Sequence, residues 1–246
     1  MQPKLKLCHL YPDLLNLYGD RGNIIALMRR ASLRGIELTV DAITLGEKFD
    51  PLKFDMVFLG GGQDAEQNIL RKDFVTEKGS AVKEAVAANK VFLCICGGYQ
   101  MMGLYYEEHD GVKIDCLGAL NVWTVGEKNR FIQDTVYSCD FLPGDKLLYG
   151  FENHSGRTYL GEGVKPLAKV LSGAGNNGRD GYEGAVYKNV YCTYSHGSFL
   201  PKNPAMTDYL LKKAVEVQTG AAFVLPELDT DIEDFARKAL PACKKP

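Results

Sequence analysis

From Lys4 to Tyr106 the chain alternates short apolar runs with stretches of helical spacing, and that alternation leaves few folds open. Lys4 to Leu10 reads as a strand, and Asp20 can cap a helix from Gly22 to Arg34. In that helix Ile24, Leu27, Met28 and Ala31 recur at helical spacing, and Gly35 stops it. Glu37 to Thr44 alternates as a second strand, and Asp55 to Leu59 is apolar enough for a third, buried one. Gly60-Gly61-Gly62 follows. Helical pattern returns over Glu66 to Arg71 and Phe74 to Ala88, a fourth strand over Val91 to Ile95, and a helix over Tyr99 to Tyr106. Such an alternation builds right-handed βαβ units on a parallel sheet, with functional groups at the carboxyl ends of its strands. The expected class is α/β, mostly parallel, with helices on its faces.

From Gly111 to Tyr194 the pattern changes to short β-rich runs such as Phe131 to Ser138 and Gly184 to Tyr194. These predict antiparallel strands added to an edge of the sheet or folded over it. Asn203 to Gln218 reads as a helix with Tyr209, Leu210, Ala214 and Val217 on its buried side, and Asp229 to Leu240 as a last one. At 246 residues, with neither repeats nor an evident linker, residues 1–246 are expected to form a single domain. Lys and Arg total 29 against 31 for Asp and Glu, so no basic surface for nucleic acid is implied. No apolar run approaches a membrane span, and Met1-Gln2-Pro3-Lys4 does not begin a leader. The seven cysteines are odd in number and scattered, which points to a reducing, cytoplasmic setting and no disulfide framework. Cys94-x-Cys96 is too short for a redox pair and lacks the second ligand pair of a zinc site, so no metal is expected.

Chemistry concentrates where the fourth strand stops. Cys96-Gly97-Gly98 follows Val91 to Ile95, and two glycines permit the sharp turn of a nucleophile elbow. The helix after it would place the sulfur near a positive helix end. A buried structural cysteine before a plain turn is the other reading. A nucleophilic thiol needs a base. Of the four histidines, His196 is favoured because it also ends an apolar strand, Asn189 to Ser195. His154 is second, while His9 suits a core position and His109 a solvated turn. Gly60-Gly61-Gly62 lacks the Lys and hydroxyl of a phosphate loop. It is either a plain βα turn or a source of one oxyanion donor, at Gly61, converging with the N–H of Gly97.

Taken together, Ile95-Cys-Gly-Gly-Tyr-Gln100, the earlier glycine turn, Gly150-Phe-Glu-Asn-His-Ser-Gly-Arg-Thr158 and Thr193-Tyr-Ser-His-Gly197 resemble the class I glutamine amidotransferases of the cobyric acid synthase branch. Asn16-Leu-Tyr-Gly-Asp-Arg-Gly-Asn-Ile-Ile25 and Asn129-Arg130-Phe131 narrow the resemblance to the glutaminase subunits of lipid II isoglutaminyl synthases, whose partner is the Mur-ligase-like MurT. The resemblance runs from Leu5 to Leu211. It implies a flavodoxin-like fold, catalytic Cys96 and His196, an oxyanion hole from Gly61 and Gly97, and glutamine binding by Arg130 and Gln100. It also implies a heterodimer in which ATP and magnesium belong to the partner, with no cofactor in this chain. A cobyric or cobyrinic acid synthase is the rival within the branch. Those enzymes carry their ATP-using domain in the same chain, and no P-loop string occurs here. One departure stands out: many class I enzymes place a Glu two residues after the catalytic His, where this chain has Ser198. A distant acid, a bare Cys-His dyad or an acid donated by the partner would each answer it. Donation by the partner is the expectation, since it would also silence wasteful hydrolysis in the free subunit.

Overall fold

The computed structural model describes residues 2–62, 69–144 and 146–240. Part of the helical stretch expected from Glu66 lies outside them. Strands β1 (Lys4–Leu10), β2 (Glu37–Ile43), β3 (Met56–Leu59) and β4 (Val91–Ile95) stand where the apolar runs predict, as does helix α1 (Arg21–Leu33). Neighbouring strands β2, β1, β3 and β4 pair in parallel, and β12 (Val190–Thr193) joins β4 in parallel with Thr193 opposite Ile95. β11 (Ala185–Tyr187) closes that edge antiparallel to β12. Every residue of β3, β4 and β12 is buried, as expected of strands covered on both faces.

The β-rich middle is neither an edge nor a simple flap: among the described residues it forms a second, seven-stranded sheet. Its spine is an antiparallel pair of long strands, β7 (Val122–Ser138) and β8 (Leu147–Leu160). β5 (Tyr105–Glu107), β6 (Lys113–Asp115), β9 (Ala168–Ser172) and β10 (Tyr182–Glu183) extend it, and β13 (Ser195–His196) pairs with β8. The strand expected from Phe131 thus begins nine residues earlier, at Val122. The run expected over Gly184 to Tyr194 is broken into β11 and β12 by a turn at Lys188, whose φ is 52°.

Three helical readings also change. The helix after the elbow, α3 (Gly97–Met102), ends at Gly103, so Tyr105 and Tyr106 enter a strand that pairs with β7. The stretch from Phe74 to Ala88 is a π-helical turn (Lys72–Glu77) followed by α2 (Gly79–Ala87). Asp73 explains the break: it accepts hydrogen bonds from Tyr11 (2.7 Å) and Gly46 N–H (3.0 Å) and pairs with Lys78, which anchors the wide turn. Short α4 (Phe199–Lys202) leads into α5 (Pro204–Thr219), and α6 (Asp231–Lys238) follows. Leu210 and Ala214 are buried as expected, while Tyr209 and Val217 are half-buried. Asp20 stands at the start of α1, yet its side chain makes no cap hydrogen bond there.

Candidate active site

The carboxyl ends of β1, β3, β4 and β12 converge on Cys96. Its backbone has φ 47° and ψ −103°, a region that L-residues avoid, and the turn is held on both sides. Cys96 N–H donates to Thr193 O (2.8 Å), and the Gly98 N–H donates to Gly60 O (3.1 Å). A β-carbon on Gly98 would stand 2.6 Å from Leu59 O, so only glycine lets β3 and the elbow approach this closely. Tyr18 and Ser198, which flank the same site, also have positive φ.

His196 does lie past the apolar strand, but in β13, where the chain has left the first sheet to pair with β8 of the second, opposite Phe151. The ring is fully buried, and neither nitrogen has a complete hydrogen bond. Nδ1 faces Asp20 Oδ1 at 3.9 Å, an ion-pair separation, which leaves Nε2 for the thiol. Burial works against protonation of His196, but Cys96 and Asp20 outweigh it and hold its pKa up at about 10. A base so placed can take up the proton of a thiol that attacks a carbonyl carbon.

Asp20 is fully buried, and its other oxygen, Oδ2, accepts the Gly61 N–H at 2.7 Å. A β-carbon on Gly61 would lie 2.8 Å from His196 Cε1 and 3.5 Å from Cys96 Cβ, so this glycine abuts the pair directly. Its carbonyl accepts from Leu17 N–H (3.0 Å). Both peptide groups of Gly61 are therefore tied to the loop that bears Asp20.

Arg130, the expected carboxylate ligand, sits in a bulge of β7: between Gly126 and Phe131 the register with β8 slips, and the exposed bulge residues leave the ladder. Its Nε and one terminal nitrogen donate to Asn153 Oδ1 (2.9 Å) and Asn153 O (3.0 Å). Asn153 also donates to the Tyr18 hydroxyl, and the Tyr18 ring stands edge-on to His196 at 4.9 Å. Gln100 donates to Tyr194 OH (3.2 Å), which is joined to Thr158 (2.6 Å) and through it to Thr124 (2.7 Å). His154 is not brought to the thiol as a second base. Its ring stacks on Tyr194 at 3.8 Å, its Nδ1 contacts Gly156 O at 2.8 Å, and burial lowers its pKa. His9 is buried edge-on to Phe58, and His109 is exposed. A cleft of 1370 Å³ between α1, α5 and α6 is lined by none of these residues.

The structure therefore gathers Cys96, His196, Gly61, Gly97 and Gln100, with Arg130 linked to them through Asn153 and Tyr18. Four residues at this site carry no site role by sequence: Tyr18, Asp20, read only as a helix cap, Asn153, and Ser198, read only as standing where a Glu is usual. The one signal for the first two is the string Asn16 to Ile25, too polar and glycine-rich for a plain strand-to-helix turn.

The profile of the CobB/CobQ-like glutamine amidotransferase domain matches residues 6–204. The chain belongs to that family. As a glutamine amidotransferase it is 41% identical over 225 residues to the lipid II isoglutaminyl synthase (glutamine-hydrolyzing) subunit GatD of Streptococcus pneumoniae, covering 91% of this chain and 85% of that one. To the GatD subunit of Staphylococcus aureus it is 43% identical over 239 residues, 96% of this chain and 95% of that one. The amidotransferase shares its fold with PurLQS from Thermotoga maritima, at a TM-score of 0.56 and 15% identity over 89% of this chain and 97% of that one. Among its described residues no helix is long and apolar enough to cross a membrane.

Proposed function

We propose that this amidotransferase is the glutaminase subunit of a lipid II isoglutaminyl synthase, with Cys96 as nucleophile and His196 as proton carrier. The observation that supports the chemistry is the strained elbow at Cys96 with the buried His196 beside it. Identity of 41 and 43% along most of the chain to subunits of that synthase supports the destination of the ammonia.

Cys96 Sγ passes its proton to His196 and forms a C–S bond to the side-chain amide carbon of glutamine. The amide oxygen becomes an oxyanion, for which Gly97 N–H is one donor and Gly61 N–H, once it parts from Asp20, the second. His196 returns the proton to nitrogen, the C–N bond breaks, and ammonia leaves a glutamyl thioester. Water then gives a proton to His196 and attacks the thioester carbon. The C–S bond breaks, the thiol recovers the proton, and glutamate departs. Arg130 grips the α-carboxylate of glutamine with the face of its guanidinium that Asn153 leaves open, and Gln100 lines the pocket. Ammonia passes to a MurT-like subunit of the Mur-ligase family, which uses ATP and magnesium to activate the D-glutamate carboxylate of lipid II and yields D-isoglutamine. The chain itself needs no cofactor, works in a cytoplasmic heterodimer, and reaches lipid II through its partner.

Co-purified with such a ligase, the wild-type chain is expected to amidate lipid II from glutamine and ATP and to trap a glutamyl adduct on Cys96 by mass spectrometry. Cys96→Ala should stop ammonia release with the melting temperature kept. Wild-type turnover in Cys96→Ala would remove the nucleophile assignment, and an assembled complex that hydrolyses glutamine but leaves lipid II unamidated would remove the acceptor.

A further inference from the structure

The string Gly150 to Thr158, which forms the middle of β8, carries two polar side chains that the chemistry above leaves without a task, Asn153 and Arg157. Both act on the bulge of β7. Gly126 pairs with Gly156 and Phe131 with His154, so Glu127 to Arg130 stand against Ser155 alone, outside the ladder, and Arg130 is exposed. An exposed arginine loses rotamer freedom on gripping a ligand, and that loss falls when the guanidinium is held beforehand. Asn153 holds it. Its Oδ1 accepts the Nε–H of Arg130 (2.9 Å) and its carbonyl accepts from Nη2 (3.0 Å), which fixes the plane of the guanidinium. Arg157 works on the residues either side of Arg130. One terminal nitrogen donates to Asn129 O at 2.8 Å, and the guanidinium carbon lies 3.5 Å from the centre of the Phe131 ring. Its other terminal nitrogen reaches Ser155 O (3.2 Å) and Gly156 O (3.4 Å). The buried Arg157 thus gives its N–H groups to carbonyls and its face to a ring, with no carboxylate among these partners.

We propose that Asn153 and Arg157 are positioning residues of the glutamine site: Arg157 shapes the bulge that presents Arg130, and Asn153 aims the guanidinium at the α-carboxylate. The inference rests on the reading of Arg130 as the carboxylate ligand, and neither of the two residues touches glutamine in it. Geometry gives the aim a direction. Asn153 occupies the Nε–Nη2 side of the guanidinium, so the Nη1–Nη2 end is the fork that remains for two parallel hydrogen bonds to a carboxylate. A lysine at position 157 would keep the charge, but it has neither the planar fork that spans Asn129 O and Gly156 O nor the flat face that lies on Phe131. Charge and shape at that position can therefore be tested apart.

Steady-state glutaminase kinetics of the full chain test the assignment. Asn153→Leu keeps the bulk of the side chain and loses the acceptor, and should raise KM for glutamine about tenfold with kcat within about threefold of the parent. Arg157→Lys should raise KM about fivefold with a similarly small change in kcat. The deciding comparison is made in an Arg130→Ala background, where KM is expected to stand about 100-fold above the parent: there both substitutions should change KM by no more than about twofold, because what they position is gone. Effects that persist undiminished without Arg130 mark a merely structural role and overturn the assignment, as does a parent-like KM in Asn153→Leu. A parent-like KM in Arg130→Ala removes the reading of Arg130 itself and this inference with it, whereas a raised KM there beside a parent-like Asn153→Leu removes this inference alone. Should Arg157→Lys fail to fold, Phe131→Leu, which takes the ring from under the guanidinium, replaces it with the same expectation. Apart from turnover, the Arg130 Nε–H of a chain with nitrogen-15 in its arginines should exchange with water more slowly in the parent than in Asn153→Leu. Equal exchange in the two proteins overturns the part assigned to Asn153.

Discussion

Cys96 stands in a backbone region that costs on the order of 1–3 kcal/mol, and the glycines around it show how little space the strained turn leaves. Two of them make opposite predictions. A methyl group at Gly98 meets backbone, Leu59 O at 2.6 Å and Gly60 O at 2.8 Å, and neither can yield without moving β3. Gly98→Ala is expected to lower stability by about 1–3 kcal/mol, as overpacking does, together with activity. At Gly61 the methyl group meets the His196 ring, 2.8 Å from Cε1, and a ring can swing aside. Gly61→Ala should therefore melt close to the parent yet hydrolyse glutamine about tenfold or more slowly, since a displaced base no longer reaches the thiol. Thermal melts beside glutaminase assays separate the two. Equal melting of Gly98→Ala and the parent would show that the elbow has slack.

Strand β10 carries another fully buried carboxylate, at the place where the two sheets are joined. Glu183 Oε1 accepts from Thr193 Oγ1 (2.6 Å) and Tyr194 N–H (2.7 Å), so β10 of the second sheet grips the end of β12 in the first. Burial pushes its pKa up to about 7, against the hydrogen bonds from Thr193 and Tyr194, and Oε2 has no partner. The sign follows. Between about 4.5 and about 7 the folded chain holds a proton that the unfolded chain has lost, so stability falls as pH rises through that window. Glu183→Gln keeps an acceptor oxygen and cannot ionise. It should melt higher than the parent at pH 8, by on the order of 3 kcal/mol in stability, with the gap closing near pH 5. A gap independent of pH would mean that Glu183 does not change charge on folding. On the other side of the first sheet α1, α5 and α6 are joined by charge as well: buried Arg30 donates to Asp208 (2.8 Å) and Glu233 (2.7 Å). Asp208, which also accepts from Arg34, is the link.

Across the whole molecule the site is a seam. Cys96 comes from the first sheet, His196 and Arg130 from the second, and Asp20 from the loop that enters α1, so small shifts between the sheets alter all of their distances together. The resting site holds the Gly61 N–H, the proposed second oxyanion donor, on Asp20, and such a donor is worth about 2.7–4 kcal/mol in a transition state. Turnover of the isolated chain is therefore expected to be about 100-fold or more below that of the chain bound to the proposed ligase partner. Equal rates would show that the Gly61 N–H does not limit the reaction.

How much of this was legible beforehand follows from the range of the forces involved. Apolar periodicity and glycine chemistry are local, so β1 to β4, α1, α5 and the elbow at Cys96 could be read directly, and four ordered motifs sufficed for the family. Strand pairing is not local. That β7 begins at Val122, that the middle of the chain forms its own sheet, and that His196 lies in a strand crossing to it depend on partners far away in sequence. Asp20 shows the difference most plainly. By sequence it is a helix cap, the commonest use of an Asp at that position. Only the folded chain, by burying its carboxylate between Gly61 and His196, turns it toward the site: the sequence determined which groups could do chemistry, and long-range packing decided which of them meet.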